Sequence, residues 1–173
     1  MRRRDEAEFE QFARARSHDL MRAALALTGD PASAEDLVQA TLTRAYTKWS
    51  RIQAAGNPVA YVRTMQTRIF LDQRRRRSSQ EIPMPSVPDG SAADDDLALR
   101  HTVLTALRGL DPIDRAIVVH RYLLDSDVTS VAEELRLTPQ AVRSRAARAL
   151  GRVRAELGTE IPGGAGPSGK GAG

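Results

Sequence analysis

The feature that most constrains this chain is a helix start that recurs. At Asp30-Pro31, Asn57-Pro58, Asp111-Pro112 and Thr138-Pro139, a side chain able to accept from backbone N–H groups stands directly before a proline. Proline loses nothing at the first helical position, because its missing N–H has no partner there and its fixed φ already suits a helix. Apolar residues at three- and four-residue spacing follow each start, which predicts an all-α chain. Aromatics make up only 4% of the 173 residues, and no alternating strand pattern competes.

The spacing predicts a first helix over residues 6–28, with Phe9, Phe12, Leu20, Ala24 and Leu27 inward and Gly29 as its stop. A second, over 31–49, carries the apolar stripe Leu37, Val38, Thr41, Leu42, Ala45 and Trp49. Glu35, Asp36 and Gln39 fall on its solvated side, and Ser33 with Asp36 fits a capping-box-like start. A third, over 58–76, runs into Arg74, Arg75, Arg76 and Arg77. Helical spacing resumes over 97–110, 112–123, 129–135 and 139–157.

Between these two sets the composition changes. Residues 79–96 hold Pro83, Pro85, Pro88 and five acids with no base, the pattern of a flexible acidic linker. The Gly-rich residues 158–173 read as a disordered tail. The expected organisation is therefore two small helical domains, 1–78 and 97–157, joined by the linker.

Charge follows the same division. Residues 1–78 carry 15 bases and 9 acids, and 97–173 carry 11 and 8. Two basic blocks around an acidic strap point to a bipartite binder of an acidic polymer, nucleic acid first. All the bases but Lys48 and Lys170 are arginine, the group whose planar fork suits phosphates and base edges.

The stretch from Val131 to Arg145 has the logic of a helix-turn-helix. Ala132 is small where two helices would cross, Leu135 and Leu137 flank the turn, Thr138 caps, and Val142 packs back. The second helix then presents Gln140, Arg143, Ser144 and Arg148 beside the apolar stripe Val142, Ala146, Leu150, Val153 and Leu157, as a helix entering a major groove would. Arg136 stands at the turn position often held by glycine and must tolerate an unfavourable backbone angle. A second constellation, Arg63, Arg68 and Arg74 to Arg77 with Tyr61 and Phe70 interleaved, can track a phosphate backbone and stack on unpaired bases. The alternative is that the two aromatics are core.

No cofactor, metal site or catalytic residue is expected. His18, His101 and His120 lack ligand spacing, no nucleophile elbow or Gly-rich phosphate loop is present, and the absence of cysteine excludes disulfides and thiolate clusters. The charged N-terminus lacks an apolar signal-peptide core, and the longest apolar run, 23–27, is five residues, so a soluble, cytoplasmic chain without membrane insertion is expected. Two readings fit these features from the residues alone: a helix-turn-helix repressor or activator acting as a dimer, and a helical adaptor whose arginine faces bind acidic protein.

Taken together, Leu27-Thr28-Gly29-Asp30, Ala34-Glu35-Asp36-Leu37-Val38-Gln39, Trp49, Tyr61-Val62-Arg63 and the run 72–77 resemble the second conserved domain of bacterial sigma factors. Leu110-Asp111-Pro112-Ile113-Asp114-Arg115-Ala116, Arg121-Tyr122 and the helix-turn-helix resemble the fourth. With only a linker between them, the chain is similar to the two-domain extracytoplasmic-function (ECF) group, and to its actinobacterial SigE-like branch. The resemblance implies docking of Asp36, Leu37, Val38 and Gln39 on the beta-prime clamp helices of core RNA polymerase. It implies minus-10 opening and strand capture by Arg63, Arg68, Phe70, Arg74, Arg75, Arg76 and Arg77, and minus-35 reading by Gln140, Arg143, Ser144 and Arg148, with the fourth domain also touching the beta flap. The linker would thread toward the active-site cleft. An anti-sigma factor is a further partner the resemblance implies, though no residue identifies it. Three positions depart from the family pattern: Arg68 where many members carry Asn, Ala40 where an acid is common, and Arg136 at the turn.

Overall fold

Each of the four proline-bearing starts becomes a helix with its cap in place. The computed structural model describes residues 3–79 and 95–160, so nearly all of the expected linker and the tail from residue 161 lie outside the described residues. α1 (Arg3–Thr28) ends at Gly29, whose φ of +82° is the left-handed stop that glycine adopts at no steric cost. Asp30 Oδ1 accepts from Ser33 N at 2.9 Å and opens α2 (Pro31–Thr47). Asp30 is thus the cap, and Ser33 sits inside the first turn instead of starting it. Asn57 Oδ1 accepts from Ala60 N at 3.1 Å before α4 (Pro58–Ser79), and Asp111 Oδ1 from Ile113 N at 3.0 Å before α6 (Pro112–Val118). Thr138 Oγ1 accepts from Ala141 N at 3.1 Å before α8 (Pro139–Glu160).

Two elements depart from the periodicity. The expected second helix breaks at Lys48, and Trp49 opens a separate short helix, α3 (Trp49–Gln53). The break lets Trp49 turn inward, where its ring meets Phe9 at 5.3 Å and Phe12 at 5.0 Å. Beyond α5 (Asp95–Arg108) and α6, the chain widens into a π-helical turn, Val119–Leu123, before α7 (Val128–Leu135), which Asp127 caps through Ser130 N at 2.9 Å.

The helix-turn-helix is α7 and α8. Arg136 takes up φ +56°, ψ +45°, the left-handed conformation expected of it, and Leu137 N donates to Ala132 O at 2.8 Å to close the turn. Ile117, Val131, Ala132, Val142 and Ala146 form a small core beneath it. The larger core does not stop at a domain boundary. Leu20, Leu27, Leu37, Ile52, Val62 and Phe70 from α1–α4 pack in one cluster with Leu107, Leu110, Ala116, Val119, Ala149 and Val153 from the C-terminal bundle.

Candidate nucleic-acid interface

α8 carries the C-terminal face. Gln140, Arg143, Ser144 and Arg148 are all exposed, and their spacing of three, four and eight from Gln140 puts them on one side of the helix. The opposite side is anchored by Val142, Ala146, Ala149 and Val153, all buried. Arg145 and Arg152 turn away from the exposed face toward α6. Arg145 Nε reaches Asp114 Oδ1 at 2.7 Å and its Nη2 lies 3.6 Å from Asp111 Oδ1, while Arg152 Nη1 is 4.0 Å from Asp114 Oδ2. These pairs set the rotation of α8, a role the count of arginines alone did not reveal.

α4 carries the second basic face, and here the expected set divides. Arg75, Arg76 and Arg77 are exposed on the last turns of the helix, with Arg75 Nη2 3.1 Å from Asp72 Oδ1. Arg63 and Arg74 are half-buried. Burial, then the neighbouring Arg77 and Arg108, holds the Arg74 guanidinium below its ordinary value, against the opposing pull of Asp30. Arg68 is exposed, and its Nη2 donates to Glu134 O at 3.5 Å. Phe70 is a core residue: 1% of its surface is exposed, and the Arg115 guanidinium lies 5.8 Å above its ring centre. No base can stack on it in this arrangement.

The sequence reasoning missed Arg44, Lys48 and Arg51. With Tyr61, Met65 and Arg68 they line a cleft of about 510 Å³ between α2, α3 and α4, whose only acid among the lining residues is Asp72. Their spacing of four and three was the available signal, obscured by the helix break at Lys48. A half-buried tyrosine beside four cations offers a stacking surface and phosphate partners together.

On α2, Asp36 and Gln39 are exposed, as is Glu35. Leu37 and Val38 are 0% and 6% exposed, so they hold α2 onto its neighbours and present nothing to a partner. The surface there is made of Glu35, Asp36 and Gln39. Among the described residues, no cluster of three or more His, Cys, Asp and Glu side chains could hold a metal, and no helix is long and apolar enough to cross a membrane. His18 and His101 are exposed, whereas His120 is buried.

Residues 12–80 match the Sigma-70 region 2 family and residues 100–153 the Sigma-70 region 4 family. The RNA polymerase sigma-E factor of Streptomyces avermitilis is 34% identical over 152 residues, covering 87% of this chain and 85% of that protein. The chain belongs to the bacterial RNA polymerase sigma factors of the ECF group. The ECF RNA polymerase sigma factor SigL of Mycobacterium tuberculosis is 33% identical to this sigma factor, over 80% of it and 84% of the relative. The fold agrees. The sigma factor RpoE of Bartonella quintana, solved with the anti-sigma factor NepR, superposes with a TM-score of 0.74 at 24% identity, covering 89% of this chain and 99% of that one. CnrH, solved with the cytosolic domain of CnrY, gives 0.62 at 20% identity, covering 90% and 91%. This sigma factor acts in DNA-templated transcription initiation, and its two basic faces lie one within each matched region.

Proposed function

We propose that this sigma factor divides promoter recognition between its two exposed basic helices and docks on core polymerase through α2. The single observation that carries the division is the exposed α8 face, where Gln140, Arg143, Ser144 and Arg148 stand together while Arg145 and Arg152 hold the helix against α6. Gln140, Arg143 and Ser144 lie near the start of α8 and read base edges of the minus-35 element; Arg148, one turn on, meets phosphate. On α4, Arg63, Arg68, Arg74, Arg75, Arg76 and Arg77 track the minus-10 strand, and the neighbouring cleft of Arg44, Lys48, Arg51 and Tyr61 receives an unpaired nucleotide. Strand opening is then binding energy applied to base separation, with no covalent step and no cofactor.

Asp36 and Gln39 dock on the beta-prime clamp helices, Leu37 and Val38 serving only to position them, and the C-terminal bundle meets the beta flap. The protein works in the cytoplasm, where core polymerase is found. An anti-sigma factor is its expected regulator, as NepR and CnrY are partners of the two structural relatives. Co-elution of the purified chain with core polymerase on a sizing column tests the docking. Retention in the polymerase peak is expected, and loss of that retention on Asp36→Arg with the helical content intact places the contact on α2. Free elution of the unmutated chain contradicts the reading.

A further inference from the structure

We propose that Ser78, at the end of the arginine block of α4, is a phosphorylation site for an arginine-directed serine kinase, and that the phosphate withdraws this end of α4 from DNA. The second half of the proposal rests on the assignment of α4 to the minus-10 strand made above.

The hydroxyl stands at a boundary of charge. Arg74, Arg75, Arg76 and Arg77 precede Ser78 without interruption, and residues 79–96 hold five acids and no base. A kinase that selects its substrates by charge can read guanidiniums on the N-terminal side of the acceptor, and Arg75, Arg76 and Arg77 are exposed. Ser78 and Ser79 are exposed on the last turn of α4, where a helix opens at little cost and frees the backbone for a kinase to grip. Ser79 is the weaker acceptor, because its Oγ donates to Arg76 O at 2.8 Å and helps close the helix end.

The fold also holds a receptor for the product. Leu71, Arg74, Arg75 and Ser78 follow the spacing of a single helix face, and that face borders a cleft of about 710 Å³ against α6 and α7. Arg68 and Arg136 line the same cleft, the second from the turn of the helix-turn-helix, so four guanidiniums surround it. Its three carboxylates already have partners. Asp72 Oδ1 lies 3.1 Å from Arg75 Nη2, Asp111 Oδ1 caps α6, and Glu134 Oε2 lies 3.0 Å from His120 Nδ1. A helix C-terminus by itself disfavours a negative charge. Here the guanidiniums three and four residues back, with Arg136 opposite, outweigh that through charge-assisted hydrogen bonds to the phosphate oxygens.

In the transfer, Ser78 Oγ bonds to the terminal phosphorus of ATP and the bond from that phosphorus to the bridging oxygen breaks. ADP leaves, and the hydroxyl proton passes to the carboxylate base of the kinase. The phosphoserine carries a charge of about −2 at neutral pH. It occupies Arg74 and Arg75 and repels the DNA backbone beside Arg76 and Arg77.

Phosphate mapping and phosphorus NMR on the full-length chain test the site without DNA. With ATP and a purified arginine-directed kinase, peptide mass spectrometry should place one phosphate on Ser78, and Ser78→Ala should remove most of the incorporation. No incorporation, or incorporation on Ser79 alone, overturns the site. In the phosphorylated chain, the second ionisation of the phosphate should fall below its ordinary value of about 6. Arg136→Ala should raise it again while circular dichroism stays unchanged. An ionisation at or above the ordinary value, or one that Arg136→Ala leaves in place, overturns the receptor. Fluorescence anisotropy with single-stranded DNA of random sequence reads the consequence. Affinity should fall about tenfold and the salt slope by about 1.4, the loss of two phosphate contacts. Undiminished affinity in the phosphorylated chain, while Arg75→Ala in the unmodified chain weakens the same complex, overturns the withdrawal. If neither change weakens binding, the assignment of α4 falls and the consequence with it, while a mapped phosphate on Ser78 upholds the site.

Discussion

Arg115 Nη1 donates to the carbonyl oxygen of Leu27 at 2.7 Å, tying α6 to the last turn of α1 across 88 positions of sequence. The same guanidinium donates through Nη2 to Arg108 O at 2.6 Å and Leu110 O at 3.2 Å, so it pairs orphan carbonyls at the ends of two helices. Burial first, then the nearby Arg74 and Arg108, lowers its pKa to about 10, and it remains a cation at neutral pH. Replacement by leucine leaves three acceptors without this donor. A loss of roughly 2–3 kcal/mol of unfolding free energy is expected in urea titration. Arg115→Lys should recover only part of it, because one ammonium cannot copy the planar fork. Unchanged stability in the leucine variant would mean that water satisfies these carbonyls.

Arg136 holds a left-handed conformation that an L side chain enters at a cost of roughly 1–2 kcal/mol. Arg136→Gly should therefore raise the urea midpoint, offset in part by the greater freedom of glycine in the unfolded chain. A fall in the midpoint would show that the arginine side chain contributes more than its backbone costs.

Arg143 and Arg145 are two positions apart on α8 and face opposite ways. Arg143→Ala should reduce discrimination for the minus-35 element by about 1–3 kcal/mol in competition binding, with stability unchanged. Arg145→Ala should instead lower stability and weaken binding to every sequence alike, because it frees α8 from Asp114. Uniform loss in the first variant would make Arg143 a phosphate contact.

The Glu134 carboxyl makes the stability of the fold dependent on pH. Burial pushes its pKa up, but the His120 contact, a Thr64 hydrogen bond and the charge of Arg68 together outweigh that and hold it below its ordinary value. A carboxyl lowered in the folded state adds stability that is fully present above the ordinary carboxylate range and is lost as pH falls through the lowered value. Urea titration at a series of acid pH values should therefore show the unfolding free energy declining as Glu134 protonates. Glu134→Gln should lack that component; a parallel decline in both would assign the transition to other groups.

Much of this molecule is legible in its sequence where the cause is local. The caps at Asp30, Asn57, Asp111 and Thr138 act within three residues of themselves, and the glycine-like angle at Arg136 follows from the length of its turn. The exposed face of α8 follows from helical spacing. Other features needed the tertiary partner. Phe70 looks like an exposed stacking ring until Arg115, 45 residues later in the chain, is laid over it. Leu37 and Val38 read as flanks of a docking surface, yet the helical repeat that exposes Asp36 and Gln39 turns them into the core. His120 carries no motif at all, and its buried ring rests on Thr67 and Glu134, neither of them near it in sequence.

Division of promoter recognition between α4 and α8 is tested most directly by transcription. The purified chain is combined with core polymerase and genomic DNA, and the 5′ ends of the transcripts are sequenced. Discrete new start sites, each preceded by two separated conserved elements and lost from the set when Arg143 is replaced, are the expected result. Binding of the chain to DNA with no new start site, in the presence of active core polymerase, would contradict it.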